Sequence, residues 1–308
     1  KKPYLLALIR FSKQKSSHPG SIMKQCNASC TELLLNATDK LPPITFVSPA
    51  KPPPKPKILL ILPGGGYQKV MVKKEGTVIA RHFASQGFVS FVCDYPIGPR
   101  GNLSIRAKNV QPIIDSAMAT LNFIRESASD PRFGGNLDLS AIALVGFSAG
   151  GHLSLCLCEQ DKLKNTSYPP IHAALLIYPT LRSPTCWCVA GGLWIVPSIF
   201  GQRFFKDKGE HCFCYGSCPS AMSRLMPTLP PHVMCVTVSG DMLLPAFKHS
   251  RILVAAMEKA GKVARYLHAG PFYLYHGCGL HSCWGEDGKE FFREAFNLVD
   301  DGQQKDKT

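Results

Sequence analysis

Apolar residues in this chain gather into short unbroken runs, with stretches of helical spacing between them. Lys57–Leu62, Phe88–Cys93, Ala141–Val145, Ala173–Ile177, Val233–Val238 and Val263–His268 each have the length of a strand. The unbroken apolar character of Lys57–Leu62 and Ala141–Val145 predicts strands buried in a core, and the other four read as short strands. Lys74–Gln86 places Val78, Ile79 and Phe83 on one helical face and is stopped by Gly87. Ala107–Glu126 carries Val110, Ile113, Ile114, Met118, Leu121 and Ile124 as a second stripe. Pro112 is tolerated only in a first turn, so that helix is expected to start nearer Gln111. Further helices are predicted from Gly150 and over Pro245–Lys259 and Lys289–Leu298. Strands alternating with helices at this spacing predict an α/β fold, a mostly parallel sheet with helices on both faces.

Two regions interrupt the alternation. Residues 1–56 lack a strong period and end in the proline-rich run Pro49–Lys57, which reads as an N-terminal extension with a stiff linker. Within it Thr31–Asn36 fits a short helix or a short strand. Residues 181–231 are rich in Cys, Pro and aromatic residues and follow a strand end, the position of a lid-like insertion. The expected organisation is therefore an extension over 1–56, one domain over 57–300 with the insertion at 181–231, and a tail over 301–308.

The most specific local pattern is Gly146-Phe-Ser148-Ala-Gly150, between the strand ending at Val145 and the helix starting at Gly150. A strand turning sharply into a helix holds its serine in a strained conformation, and its neighbours must be nearly bare. The turn would lift the Ser148 hydroxyl from the sheet and aim helical N–H groups at it. A tight turn with an inert serine is the competing reading, so partners elsewhere must decide.

A serine hydroxyl becomes nucleophilic only beside a base, and the base needs an acid to orient it. Asp241 follows the apolar strand Val233–Val238, so its carboxylate would sit off a strand's C-terminal end, on the edge that carries the serine. A helix N-cap or turn aspartate is the alternative. Three histidines follow. His268 closes a strand, His281 stands in reserve, and His276 is preferred because Gly277 and Gly279 give its loop a tight path. Pro63-Gly64-Gly65-Gly66-Tyr67 comes directly after the first strand of the domain. It lacks the Gly-Lys-Ser/Thr of a phosphate loop and the last glycine of a dinucleotide fingerprint. With Ser148 downstream, backbone N–H groups of Gly65 or Gly66 together with Ala149 read better as an oxyanion hole.

These residues resemble the α/β-hydrolase fold, in the esterase/lipase branch of acetylxylan-esterase-like and feruloyl-esterase-like proteins. The resemblance covers about residues 57–298. It rests on ILPGGGY (61–67), Glu75-Gly-x-x-x-Ala80, VGFSAGGHLS (145–154), YP (178–179), PP (230–231), SGDxxxP (239–245), HGxGL (276–280) and Trp284. It implies Ser148 as nucleophile, Asp241 as acid and His276 as base. The implied activity is hydrolysis of carboxylic esters, such as those of acetylated or feruloylated carbohydrates, with no metal or organic cofactor. An amidase or formamidase on the same residues and a non-catalytic binding protein are the alternatives.

Composition narrows the partners. Of 308 residues 45% are hydrophobic and 18% charged, as in a folded protein, and no apolar run approaches the length of a bilayer span. The net charge of +14 favours anionic surfaces. The lysines are nevertheless scattered, without a basic helix or aromatic-lined groove, which argues against nucleic acid. Thirteen cysteines are many for a reduced compartment. Cys186-x-Cys188 and Cys212-x-Cys214-x-x-x-Cys218 lack zinc-pair spacing, and disulfides pinning the insertion are preferred to a metal cluster, with free buried cysteines as the alternative. Sequons at Asn27, Asn36, Asn102 and Asn165 add to an expectation of a glycosylated protein of the secretory pathway.

Overall fold

The computed structural model describes residues 24–26, 30–39, 41–97, 111–164, 167–181, 215–216, 219–241, 249–270 and 276–298. Among the described residues nine strands form one sheet: β1 (Lys24–Cys26), β2 (Cys30–Leu35), β3 (Ile44–Pro49), β4 (Ile58–Leu62), β5 (Val89–Cys93), β6 (Ile142–Phe147), β7 (Ala173–Ile177), β8 (His232–Val238) and β9 (Ala264–Ala269). Their order is β1-β2-β3-β5-β4-β6-β7-β8-β9. Pairing is antiparallel from β1 to β5 through β2 and β3, and parallel from β5 onwards. Every residue of β4, β5, β6 and β7 is buried, which is why these strands read as unbroken apolar runs.

The pleat divides these runs between two cores. Leu60, Leu62, Leu144 and Leu176 face one layer, with α2 (Gln111–Glu126), α3 (Ala149–Lys164) and α5 (Ser250–Lys259). Leu59, Ile61, Val145 and Leu175 face the other, with α1 (Val78–Ala84) and α6 (Ser282–Ala295). A short α4 (Pro219–Leu225) joins the first layer through Ala221 and Leu225. Between α2 and α3 the fully buried Arg125 grips Asp161 in a bidentate pair, at 2.6 and 3.0 Å, and also donates to the Pro169 carbonyl. The two terminal nitrogens of the guanidinium are satisfied in this way, its buried Nε is not, and the pair ties two helices in fixed register at a spot where a lone charge would be costly.

The structure departs from the pattern in three places. The sheet begins well before Lys57: residues 24–49, read as an extension, supply β1, β2 and β3. These strands lie at the sheet's edge, where half-exposed residues such as Thr31, Glu32 and Leu34 blur the apolar run. The first helix divides into a π-helical turn, Val72–Thr77, followed by α1. The last helix starts at Ser282, not Lys289, and ends at Ala295. Its first half contains Gly285 and Gly288, which lower helix propensity but bring the helix close to its neighbours. A Cβ at Gly288 would lie 3.2 Å from Leu175 Cδ2, and one at Gly285 would lie 3.4 Å from His82 Nε2.

The first seven residues after Asp241, most of the 181–231 insertion with its cysteines, and Asn27, Asn102 and Asn165 lie outside the described residues. The expected disulfides of the insertion fall there too. Cys93, Cys156, Cys158, Cys235, Cys278 and Cys283 are free thiols. Among the described residues no group of His, Cys, Asp and Glu could hold a metal ion, and no helix is long and apolar enough to cross a membrane.

Candidate active site

The sheet places two loops side by side. β4 and β6 are parallel neighbours paired from Ile58↔Ile142 to Leu62↔Gly146, so their C-terminal ends coincide. Connections leave this point in opposite directions, β4 crossing to β5 on one side and β6 to β7 on the other. Such a divergence opens a crevice at the carboxyl ends of the strands. Gly64–Gly66 enters it from β4 and Ser148 from β6.

Ser148 has φ +50°, a left-handed conformation costly for a residue with a Cβ, and it is held from three directions. Its N–H donates to the Ile177 carbonyl, while its own carbonyl accepts from the N–H groups of His152 and Thr180. The flanking glycines are required by space. A Cβ on Gly146 would stand 2.2 Å from Ser154 Oγ, and one on Gly150 would stand 1.9 Å from the Leu62 carbonyl oxygen. Ala149 is the first residue of α3, where N–H groups have no partner within the helix.

Asp241 lies just past β8, where its N–H closes a turn onto the Val238 carbonyl. His276 follows β9 and reaches back across the strand ends to Tyr178, just past β7, where the two rings pack at 4.7 Å. Its imidazole bridges the other two groups. His276 Nδ1 is 2.9 Å from Asp241 Oδ2, and His276 Nε2 is 2.9 Å from Ser148 Oγ. Ser148, Asp241 and His276, chosen on the sequence by position relative to strand ends, thus converge to hydrogen-bonding distance. The other two histidines are occupied elsewhere. His268 Nδ1 lies 3.0 Å from Thr237 Oγ1 inside the sheet, and His281 caps α6 by accepting the Cys283 N–H.

The glycine turn beside Ser148 runs through three consecutive left-handed residues, Gly65 at +128°, Gly66 at +64° and Tyr67 at +55°. The Tyr67 hydroxyl donates to the Ala149 carbonyl at 2.9 Å and lies 2.8 Å from His152 Nδ1. That contact ties the end of the turn to the start of α3. Before the turn, the Gly64 N–H donates to Glu75 Oε2 at 2.8 Å, and Tyr95 Oη donates to the Pro63 carbonyl at 2.6 Å. Burial pushes the Tyr67, Tyr95 and Tyr178 hydroxyls well above the usual phenol range, so each stands as a neutral donor.

Motif reading had no role for Tyr67, Glu75, His152 or Tyr178. All four stand in the runs that carry the resemblance, where nothing local assigns them a role; in the structure Glu75 is 2% exposed and His152 fully buried, although both types ordinarily stay in contact with water.

The fold has solved relatives. A carboxylesterase from Lactobacillus plantarum superposes with a TM-score of 0.61 at 17% identity, covering 91% of this chain and 99% of its own. The chain has the α/β-hydrolase fold. A BD-FAE family model matches residues 44–169, from β3 through α3. Among curated proteins, an acetylxylan esterase of Xylanibacter ruminicola is 23% identical over 211 residues, which is 68% of this chain. A kynurenine formamidase of Salmo salar is 26% identical over 119 residues, or 39% of it. The chain spans 38% and 35% of the length of these two relatives.

Proposed function

We propose that this α/β-hydrolase is a serine carboxylic-ester hydrolase acting on short-chain acyl esters, such as those of acetylated or feruloylated carbohydrates. The observation that carries the reading is the His276 bridge, 2.9 Å to Ser148 Oγ on one side and 2.9 Å to Asp241 Oδ2 on the other. In this role Asp241 accepts the Nδ1–H of His276 and so leaves Nε2 as the base. Ser148 Oγ attacks the ester carbonyl as Nε2 takes its proton, and the carbonyl oxygen becomes an oxyanion. The N–H groups of Ala149 and of Gly65 or Gly66 are the donors proposed for that charge. Collapse of the tetrahedral species breaks the ester bond, with His276 returning the proton to the departing alcohol. Water, activated by the same imidazole, then releases the acid from Ser148. Every step uses side chains and backbone of this chain, with no metal or organic cofactor.

The acetylxylan esterase likeness supports the acyl-ester class. The sequons support a place in the secretory pathway, and Asn36 is exposed just after β2. The test is turnover of a short-chain p-nitrophenyl ester together with labelling by a serine-reactive phosphonate. The proposal expects Ser148→Ala to lose both; normal turnover by that variant, or labelling of another serine, would overturn it.

The kynurenine formamidase likeness favours a second reading, amide hydrolysis on the same three residues. Rates on a matched ester and anilide pair, with an N-formyl amine as a third substrate, separate the two.

A further inference from the structure

Glu75 is a buried carboxylate that the proposed reaction does not use, next to the atoms that it does. It sits in the π-helical turn Val72–Thr77 and is 2% exposed. Such turns are rare, and they recur at functional sites because the extra residue re-aims a side chain. Close packing permits this one: a Cβ on Gly76 would lie 2.6 Å from Val92 Cγ1, so only glycine lets the turn lie against β5. Taking a carboxylate out of water is costly unless its oxygens are satisfied. Glu75 Oε2 accepts the Gly64 N–H at 2.8 Å, and Oε1 accepts the Tyr178 hydroxyl at 2.8 Å. The same hydroxyl accepts the Gly279 N–H at 3.3 Å. Gly279 is three residues beyond His276, and the Tyr178 ring packs on the imidazole.

One carboxylate therefore joins the two halves of the site. One arm holds the residue that opens the left-handed glycine turn, and the other holds the tyrosine under His276 and, through it, the histidine loop. We infer that Glu75 is a positioning residue, which sets the glycine turn and the His276 loop in their reactive arrangement through Gly64 and Tyr178. This inference rests on the serine-hydrolase reading above. An oxyanion donor is useful only within a few tenths of an ångström of where charge develops, so its placement acts in the transition state more than in substrate binding.

Glu75→Gln preserves the shape but replaces one acceptor with a donor. Either the Gly64 N–H then faces an N–H, or the Tyr178 hydroxyl proton loses its acceptor. The experiment measures kcat and KM on p-nitrophenyl acetate, and inhibition by a trifluoromethyl ketone, whose adduct on a serine carries the tetrahedral oxyanion. Circular dichroism and thermal melting establish that each variant is folded. In Glu75→Gln, kcat is expected to fall about 10- to 100-fold with KM within about threefold, and the inhibitor to weaken by about the factor lost in kcat/KM. Tyr178→Phe is expected to lower kcat less, and the double variant to be no slower than Glu75→Gln, because the groups act as one unit.

Folded Glu75→Gln with kcat within twofold of wild type, or a loss confined to KM, would overturn the inference. If Glu75→Gln does not fold, Tyr178→Phe decides, and unchanged kcat and inhibitor affinity there overturn it. Wild-type protein that neither turns over the ester nor labels at Ser148 would overturn the hydrolase reading itself. That outcome is distinct from an active wild type with an indifferent Glu75.

Discussion

Asp241 and His276 meet with Oδ2 and Nδ1 2.9 Å apart, the carboxylate 2% exposed and the imidazole 18% exposed. The carboxylate is shielded while the imidazole is partly open. In the proposed mechanism this shielding strengthens the hold of the carboxylate on an Nδ1–H and leaves Nε2 facing Ser148. Replacing Asp241 with Asn keeps the volume but lets the amide donate, favouring the wrong tautomer. For Asp241→Asn, kcat is expected to fall by about 10³- to 10⁴-fold with little change in KM. Steady-state kinetics on a p-nitrophenyl ester checks it, and a loss under tenfold would remove Asp241 from the site.

Gly150 is a matter of space alone. A Cβ there would stand 1.9 Å from the Leu62 carbonyl oxygen and 2.6 Å from that of Pro63, both backbone atoms that cannot swing away. Gly150→Ala should cost about 3 kcal/mol or more, or prevent folding. At Gly261, with φ +69° and nothing within 4 Å, alanine meets only the left-handed backbone penalty, about 1 kcal/mol. Urea denaturation of the two variants side by side should give this order.

The thiols supply a test of burial. Burial pushes Cys93 and Cys235 up to about 12 and raises Cys156 and Cys158 strongly, so none of the four is a thiolate at neutral pH. Cys278 is pushed up to about 11, again by burial first, but it and Cys283 are partly exposed. Iodoacetamide at pH 8 is therefore expected to modify Cys283 and Cys278 first, and the other four only as the protein unfolds. Peptide mapping after timed labelling reads the order directly.

Asp138 links stability to acid. Burial alone would raise its pKa, but hydrogen bonds from Lys57 and Ser140 and the Lys57 charge outweigh it and hold the carboxyl at about 2. The unfolded-state value is about 3.9, so the folded value is depressed. The stabilisation is then fully present above about pH 4 and is lost as pH falls through about 2. Asp138→Asn should reduce stability by roughly 1–2 kcal/mol at pH 7 and by almost nothing near pH 2. Urea denaturation of both proteins across that range measures the difference.

Much of the fold was legible because its central strands are buried on both faces. Ala173–Ile177 is a strand over the same residues in the pattern and in the structure, and the stripe Ile113, Ile114, Met118, Leu121 and Ile124 of α2 lies in the core as its spacing predicts. β3 was not legible, and β2 only as one of two options, a short helix or a short strand over Thr31–Asn36. At the sheet's edge their burial depends on which strand lies alongside, and Leu33↔Phe46 pairing is invisible in either segment alone. The start of α6 was hidden for a related reason, since Gly285 and Gly288 signal a helix only once His82 and Leu175 are known to press against them.

By itself the sequence determined the local geometry of the site: a strand–turn–helix around Ser148, a glycine turn after β4, and an acid and a histidine beyond later strand ends. These follow from backbone sterics and from apolar runs that can be satisfied only inside a sheet, and both act over a few residues. Only the tertiary structure decided that His276, and neither His268 nor His281, stands between Ser148 and Asp241. That selection depends on where His276 stands relative to the ends of β8 and β7, a placement no local rule encodes. The structure likewise decided that Glu75, eleven residues beyond Gly64, turns inward to the same point. A buried hydrogen bond needs both partners in place, and here the partners come from five different strand ends, those of β4, β6, β7, β8 and β9.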